Sequence, residues 1–290
     1  MQSRLTHTLL KFLTFLLNTK LYLSLGAVFL TLETQVQLGM KPQWHPYLFI
    51  VFLGTMCAYN FHQFITILTH KKNLDSEEQG WVRKNEKWFN TLVLASVVGF
   101  LVAVFMAKRE VIIGLVPMAV ITLFYSVPVF RTYRFRDIPY LKIFLIAFVW
   151  AATTVIVPIA QSGYLVSTFQ TSLLIAERFL FVFAATIPFD IRDMETDKQE
   201  GLKTIPSWLG EQMSHTISYV AVIAFIIVSL FHFRQSFSLA LPLFLSGLIT
   251  LVILYSPRLR RLPFYHIALL DGTIWVQSGL VLVFYYFSNR

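Results

Sequence analysis

Three aspartates, Asp190, Asp193 and Asp197, stand within eight residues in FDIRDMETDKQEGLKTIP, half of the six that the chain contains. Carboxylates spaced i, i+3, i+7 share one face of a continuous helix. The spacing therefore predicts three converging carboxylates at the end of the apolar run RFLFVFAATIP. Like charges that close raise one another's pKa unless a cation sits between them. Such an oxygen-rich set suits a hard divalent ion such as Mg²⁺, which takes one or two carboxylates and completes its shell with water and substrate phosphates. The plainer alternative is a solvated, charge-mixed loop neutralised by Arg192, Lys198 and Lys203. Gly201, Thr204 and Pro206 predict a compact turn just beyond the cluster.

The elements that would position these groups are read from hydropathy. Of 290 residues, 56% are hydrophobic and 13% charged, against about 25% charged in a soluble domain. Apolar stretches near the ~20 residues needed to cross a bilayer recur along the chain. The expected fold is an all-α membrane protein, a bundle of nine transmembrane helices near 20–38, 46–69, 90–107, 111–130, 139–160, 170–189, 215–233, 237–255 and 266–287. Residues 1–19 read as an interfacial helix: Arg4 precedes an apolar run as in a signal peptide, but no small-residue cleavage site follows. Without a linker, low-complexity segment or clear repeat, residues 1–290 read as one domain. The single cysteine, Cys57, cannot form an intrachain disulfide.

Most of the 24 Lys and Arg residues fall on one set of connections, which places the N-terminus and the polar loops on the cytoplasmic side. The net charge of +9 is concentrated there, where it attracts anionic lipid heads or a phosphorylated substrate. Divided among membrane-flanking loops, it does not read as a nucleic-acid surface. No Ser-His-Asp set, Gly-rich phosphate loop or zinc spacing occurs, and His215, His232 and His266 are scattered. The adjacent Glu177 and Arg178 point about 100° apart on a helix and so take different partners.

The stretch DIRDMETDKQEGLKTIP resembles the second aspartate-rich motif of the UbiA family of intramembrane prenyltransferases. FYSVPVFRTYRFRDIPYLKIFLIAFVWAATTVIVP, residues 124–158, is similar to that family's fourth and fifth spans. The resemblance implies transfer of a prenyl group from a diphosphate to a lipophilic or aromatic acceptor, with Mg²⁺ as cofactor. It implies Asp190, Asp193 and Asp197 as metal ligands, Lys198 or Lys203 on phosphate, and Tyr125 and Arg131 near the diphosphate oxygens. The implied partners are a prenyl diphosphate, the acceptor and membrane lipids. Ionising an allylic C–O bond leaves negative charge on diphosphate, which metal and cationic side chains stabilise. Arginine suits phosphate through paired N–H donors, and apolar walls keep water from the cation left behind.

The chain departs from the family at the first motif, Asn-Asp-x-x-Asp-x-x-x-Asp. In YNFHQFITILTHKKN, residues 59–73, alignment on Asn60 puts Phe61, Phe64 and Leu68 at the aspartate positions. None can ligate Mg²⁺. Asp271 is a candidate replacement, about 7 Å inside the last span at 1.5 Å per residue, where a carboxylate usually faces a bundle interior. Asn60, His62 and Gln63 supply neutral ligands or interhelical hydrogen bonds. Lys71 and Lys72 could hold phosphate in place of a metal, while Asp75, Glu77 and Glu78 read as solvated. Three functions stay open: a rebuilt prenyltransferase, a cyclase-like enzyme acting on an isoprenoid diphosphate, and a noncatalytic isoprenoid- or quinone-binding relative.

Overall fold

The computed structural model describes the backbone of residues 2–69, 77–129, 133–163 and 165–288, and side chains within 10–65, 80–129, 133–163 and 165–288. Lys71, Lys72, Asp75 and Arg131 lie outside the described residues, as do the side chains of Leu68, Glu77 and Glu78. The described chain is helical throughout, without a strand; only an isolated bridge joins Val129 and Tyr133.

In order, the helices are α1 (Gln2–Asn18), α2 (Leu21–Gln37), α3 (Tyr47–Thr69), α4 (Glu77–Lys84), α5 (Glu86–Phe105), α6 (Arg109–Ser126), α7 (Leu141–Ser162) and α8 (Thr168–Arg192). They are followed by α9 (Met194–Gln199), α10 (Ile205–His232), α11 (Phe237–Tyr255), α12 (Pro257–Arg260) and α13 (Asp271–Ser288). A 3₁₀ turn, Phe135–Asp137, precedes α7, and a π-helical turn, Tyr265–Leu270, leads into α13. Among the described residues eight helices are long and apolar enough to cross a membrane, and nine if the pair Leu10–Asn18 and Leu21–Gln37, bent by 68°, counts as one. The reason for helix everywhere is solvent: in hydrocarbon each N–H and C=O must be paired within its own segment.

By packing, the chain forms two compact units, where the sequence reads as one domain. The first comprises residues 1–28 and 45–107. Within it α3 lies against α5, with Gly54 beside Phe100 and Gly99 beside Leu53. The turn between α1 and α2 puts Lys20 at φ 63, and the amide of Asn60 on α3 donates to the buried carbonyl of Thr19 at 3.1 Å.

The second unit comprises residues 29–44 and 108–290. Its core is the antiparallel pair α8 and α10, joined by Phe181 against Phe225. Pro188 lies inside α8 and cannot donate to the carbonyl of Ala184 four residues back. Ser218 of α10 takes over, its hydroxyl donating to Ala184 O at 2.7 Å. The same unit contains a buried polar cluster. Arg178 on α8 reaches Glu33 at 3.1 Å, while Gln277 of α13 and Gln37 donate to the same carboxylate oxygen at 2.8 and 3.1 Å. Glu177 pairs instead with His232 at the end of α10. The two adjacent charges thus take different partners, as their 100° separation requires.

Candidate functional site

The aspartate motif does not form one continuous helix face. α8 ends at Arg192, Asp193 adopts φ −88 and ψ 2, and α9 begins at Met194. Aspartate favours helix ends because its short polar side chain competes for nearby backbone groups, and Pro188 has already weakened the last turns of α8. The break separates the three carboxylates. Asp190 and Asp197 are each 2% exposed, whereas the Asp193 side chain is 37% exposed and pairs with Arg192 at 2.6 Å. The expected convergence of three is therefore a convergence of two. Among the described residues no group of three His, Cys, Asp or Glu side chains gathers as a metal cage.

What joins Asp190 and Asp197 is Lys142, in the first turn of α7. Its ammonium lies 2.9 Å from Asp190 Oδ1 and 2.9 Å from Asp197 Oδ2. The side chain is buried, so these are charge-assisted bonds in a low-dielectric setting, stronger than their solvated counterparts. The start of α7 is fixed by two backbone features: Tyr140 takes a left-handed φ of 64, and its N–H donates to the carbonyl of Lys203 at 2.7 Å. That bond ties the entry of α7 to the loop after α9. Gly201, at φ +75, turns the chain there, and Thr204 caps α10 by a reciprocal bond pair with Ser207. The predicted compact turn is thus present, and its role is to bring α7 to the aspartates.

Around this triad stand further cations. Arg136 approaches Asp197 at 3.9 Å and Glu200 at 3.6 Å, with its guanidinium 6.0 Å from the Tyr125 ring centre. Tyr125 lies within electrostatic reach of Lys142, Arg136, Asp190 and Asp197. Arg134 donates to the carboxylate of Asp137. Burial alone would raise the Asp137 carboxyl, but the Arg134 bonds and the charges of Arg134 and Arg136 outweigh it and hold it below the usual carboxylate value.

Each remaining candidate has its own setting. Lys198 is exposed and pairs with Glu195 at 2.9 Å, and the Lys203 side chain is exposed. Asp271 opens α13, half-buried, directly after the π-helical turn. In the first unit, Asn60 and Gln63 are buried one helical turn apart on α3. Asn60 Oδ1 and both amide atoms of Gln63 have no hydrogen-bond partner among the described residues.

Lys142 is the residue of this candidate site that motif reading missed. Its signal was present: a lysine one residue into a long apolar helix is expensive in a membrane and marks a partnered, inward-facing group. Its ammonium and Arg136 offset Asp190 and Asp197, so the site carries little net charge. An anion entering it would need an additional cation. One acceptor is already available, since Asp190 Oδ2 is buried without a hydrogen-bond partner among the described residues. That orphaned carboxylate oxygen fits a divalent metal of the Mg²⁺ type.

A membrane-embedded all-α chain with a buried carboxylate–ammonium site at one helix end is the class of protein these features define. The model of the UbiA prenyltransferase family matches residues 79–269, and the chain belongs to that family. The solved structures agree in fold. A UbiA homologue from Aeropyrum pernix K1, in the apo state, has a TM-score of 0.67 at 14% identity, covering 93% of this chain and 98% of that one. A UbiA homologue from Archaeoglobus fulgidus bound to GPP and Mg²⁺ has a TM-score of 0.66 at 14% identity, with coverages of 94% and 98%. A digeranylgeranylglyceryl phosphate synthase aligns at 0.55 and 15% identity, with coverages of 95% and 97%. No match is found among curated protein sequences. The chain is an integral, multi-pass membrane protein of the UbiA fold.

Proposed function

We propose that the chain, acting as one UbiA-like domain, transfers a prenyl group from an isoprenoid diphosphate to a lipophilic or aromatic acceptor. The observation that carries this reading is the meeting of Asp190 and Asp197 on Lys142, with Asp190 Oδ2 left unpartnered among the described residues. Asp190 and Asp197 would hold Mg²⁺, with Asp193 at the rim. The metal, when bound, would supply positive charge to the diphosphate oxygens. Lys142 and Arg136 add cationic hydrogen-bond donors beside the same charge, and Tyr125 offers a hydroxyl. In the reaction the allylic C–O bond breaks and its electron pair leaves with diphosphate. A bond then forms between the prenyl C1 and a nucleophilic atom of the acceptor, whose proton departs to water or to the released diphosphate. The N-terminus and motif loops would face the cytoplasm.

The test is binding of a non-ionisable prenyl thiodiphosphate to the purified chain with and without Mg²⁺, compared with Asp190→Asn. The expected result is metal-dependent binding that Asp190→Asn abolishes. Binding that needs no metal and survives the substitution would end the metal-site reading.

A second reading has its own observation. α3 carries Phe61 and Phe64 where the family's first motif has aspartates, leaving Asn60, His62 and Gln63 there without a carboxylate. This favours a noncatalytic isoprenoid- or quinone-binding relative. Diphosphate release from a prenyl diphosphate, measured with a panel of lipophilic acceptors and with none, separates the two. Release without an acceptor would point instead to the cyclase-like alternative.

A further inference from the structure

At the other end of the second unit a cleft of about 430 Å³ opens between the C-terminal end of α10, the first turns of α8, the end of α2 and the start of α11. Gln37, Phe169, Leu173, His232, Arg234 and Leu239 are among its lining residues. It is separate from the aspartate site: Glu177, which backs His232, precedes Asp190 by thirteen residues on α8, about 20 Å along the helix axis.

The cleft carries a guanidinium in its lining, that of Arg234. Arg234 makes no ion pair with a carboxylate among the described residues, and its guanidinium lies 5.4 Å from the Phe231 ring centre. His232 has Nδ1 committed to Glu177. Its Nε2, on the opposite edge of the ring, has no hydrogen-bond partner among the described residues. Gln37 is 5% exposed and is held by the Glu33–Arg178 pair, donating to Glu33 at 3.1 Å. Behind the lining, two carboxylates, Glu33 and Glu177, face one guanidinium, Arg178. Among the described residues no carboxylate side chain lines the cleft itself.

A guanidinium with no opposing carboxylate among the lining residues, and an imidazole edge in the same lining, are complementary to an anion. The anion must also suit a greasy wall, because Phe169 is 66% exposed and stands with Leu173 and Leu239 in the same lining. The ends of membrane-spanning helices lie at headgroup depth, where a phosphate joined to acyl chains meets both requirements. We propose that this cleft binds one anionic phospholipid, its phosphate on Arg234 and His232 and its acyl chains against Phe169, Leu173 and Leu239.

Native mass spectrometry of the purified full-length chain tests this, with phosphatidylglycerol titrated against phosphatidylcholine and with inorganic phosphate as a separate probe. The expected result is one retained phosphatidylglycerol whose affinity falls about tenfold or more in Arg234→Gln, the loss of one charge-assisted contact. Arg258→Gln, on the connection after α11, should leave it unchanged. Arg234 is exposed, so its substitution does not threaten folding. His232→Gln, checked for wild-type elution on size exclusion, should weaken the same lipid. Wild-type affinity in Arg234→Gln overturns the assignment. So does equal retention of phosphatidylcholine, which would mark a neutral lipid site, or binding of inorganic phosphate as tight as that of phosphatidylglycerol, which would mark a site for a soluble anion.

Discussion

Replacing Lys142 by methionine keeps the length of the side chain and removes the one cation among the described residues that touches both buried aspartates. Asp190 and Asp197 are each 2% exposed, and each contacts the ammonium at 2.9 Å. Removing one partner of a buried ion pair costs about 3–5 kcal/mol, because the other charge stays desolvated. Asp190 should bear most of this, since Arg136 still stands 3.9 Å from Asp197. At about 2–4 °C per kcal/mol for a chain of this size, the melting temperature in a fixed detergent should fall by about 6–20 °C. Two controls identify the cause. Adding Asp190→Asn and Asp197→Asn to Lys142→Met removes the unpaired charges and should restore most of the loss. Millimolar Mg²⁺ should stabilise Lys142→Met more than wild type, because two carboxylates then compete for a cation with no lysine between them. A melting temperature within about 1 °C of wild type would refute the argument, for the aspartates would then not depend on the ammonium.

Other outcomes follow from single contacts. Ser218→Ala should lower stability by about 1–3 kcal/mol, because it orphans the Ala184 carbonyl that Pro188 cannot pair; an unchanged melting temperature would mean that another group reaches that carbonyl. Arg178→Met should destabilise strongly by leaving Glu33 buried and uncompensated, by about 3–5 kcal/mol. The double change Glu33→Leu with Arg178→Met should recover much of that loss, and a double variant worse than either single one would contradict the pairing. Asp137 has a folded pKa below its ordinary 3.8. Its contribution is therefore complete above that ordinary value and lost as pH falls through the lower folded one. Asp137→Asn should flatten the acid limb of stability against pH, and an identical acid limb would remove this role.

How much of this was legible in the chain can be judged at particular residues. The all-helical membrane fold was, because a bilayer admits few ways to pair a backbone, and apolar runs of 17–28 residues declare them. The motif DIRDMETDKQEGLKTIP marked the carboxylates of the candidate site, and the Gly201–Pro206 turn was readable from residue types alone. The i, i+3, i+7 spacing failed because it assumes an unbroken helix, whereas the chain bends at Asp193 and sends that carboxylate to Arg192. Lys142 lies 48 residues before Asp190 in the sequence, and no local period connects them. Their meeting depends on the fold of α7 against α8 and on the Tyr140–Lys203 backbone bond.

The buried clusters tell the same story. Hydropathy marks Glu33, Glu177 and Arg178 as costly in a membrane, and helical geometry says that the last two diverge. Which partners they take is decided by helices far apart in the chain, with Gln277 and Glu33 separated by 244 positions. The sequence by itself determined the solvent, the secondary structure and the residue types available for chemistry, since those follow from hydrocarbon and from local spacing. Only the tertiary structure decided which charges meet, because a buried charge is stable only beside its partner, and that partner arrives on another helix.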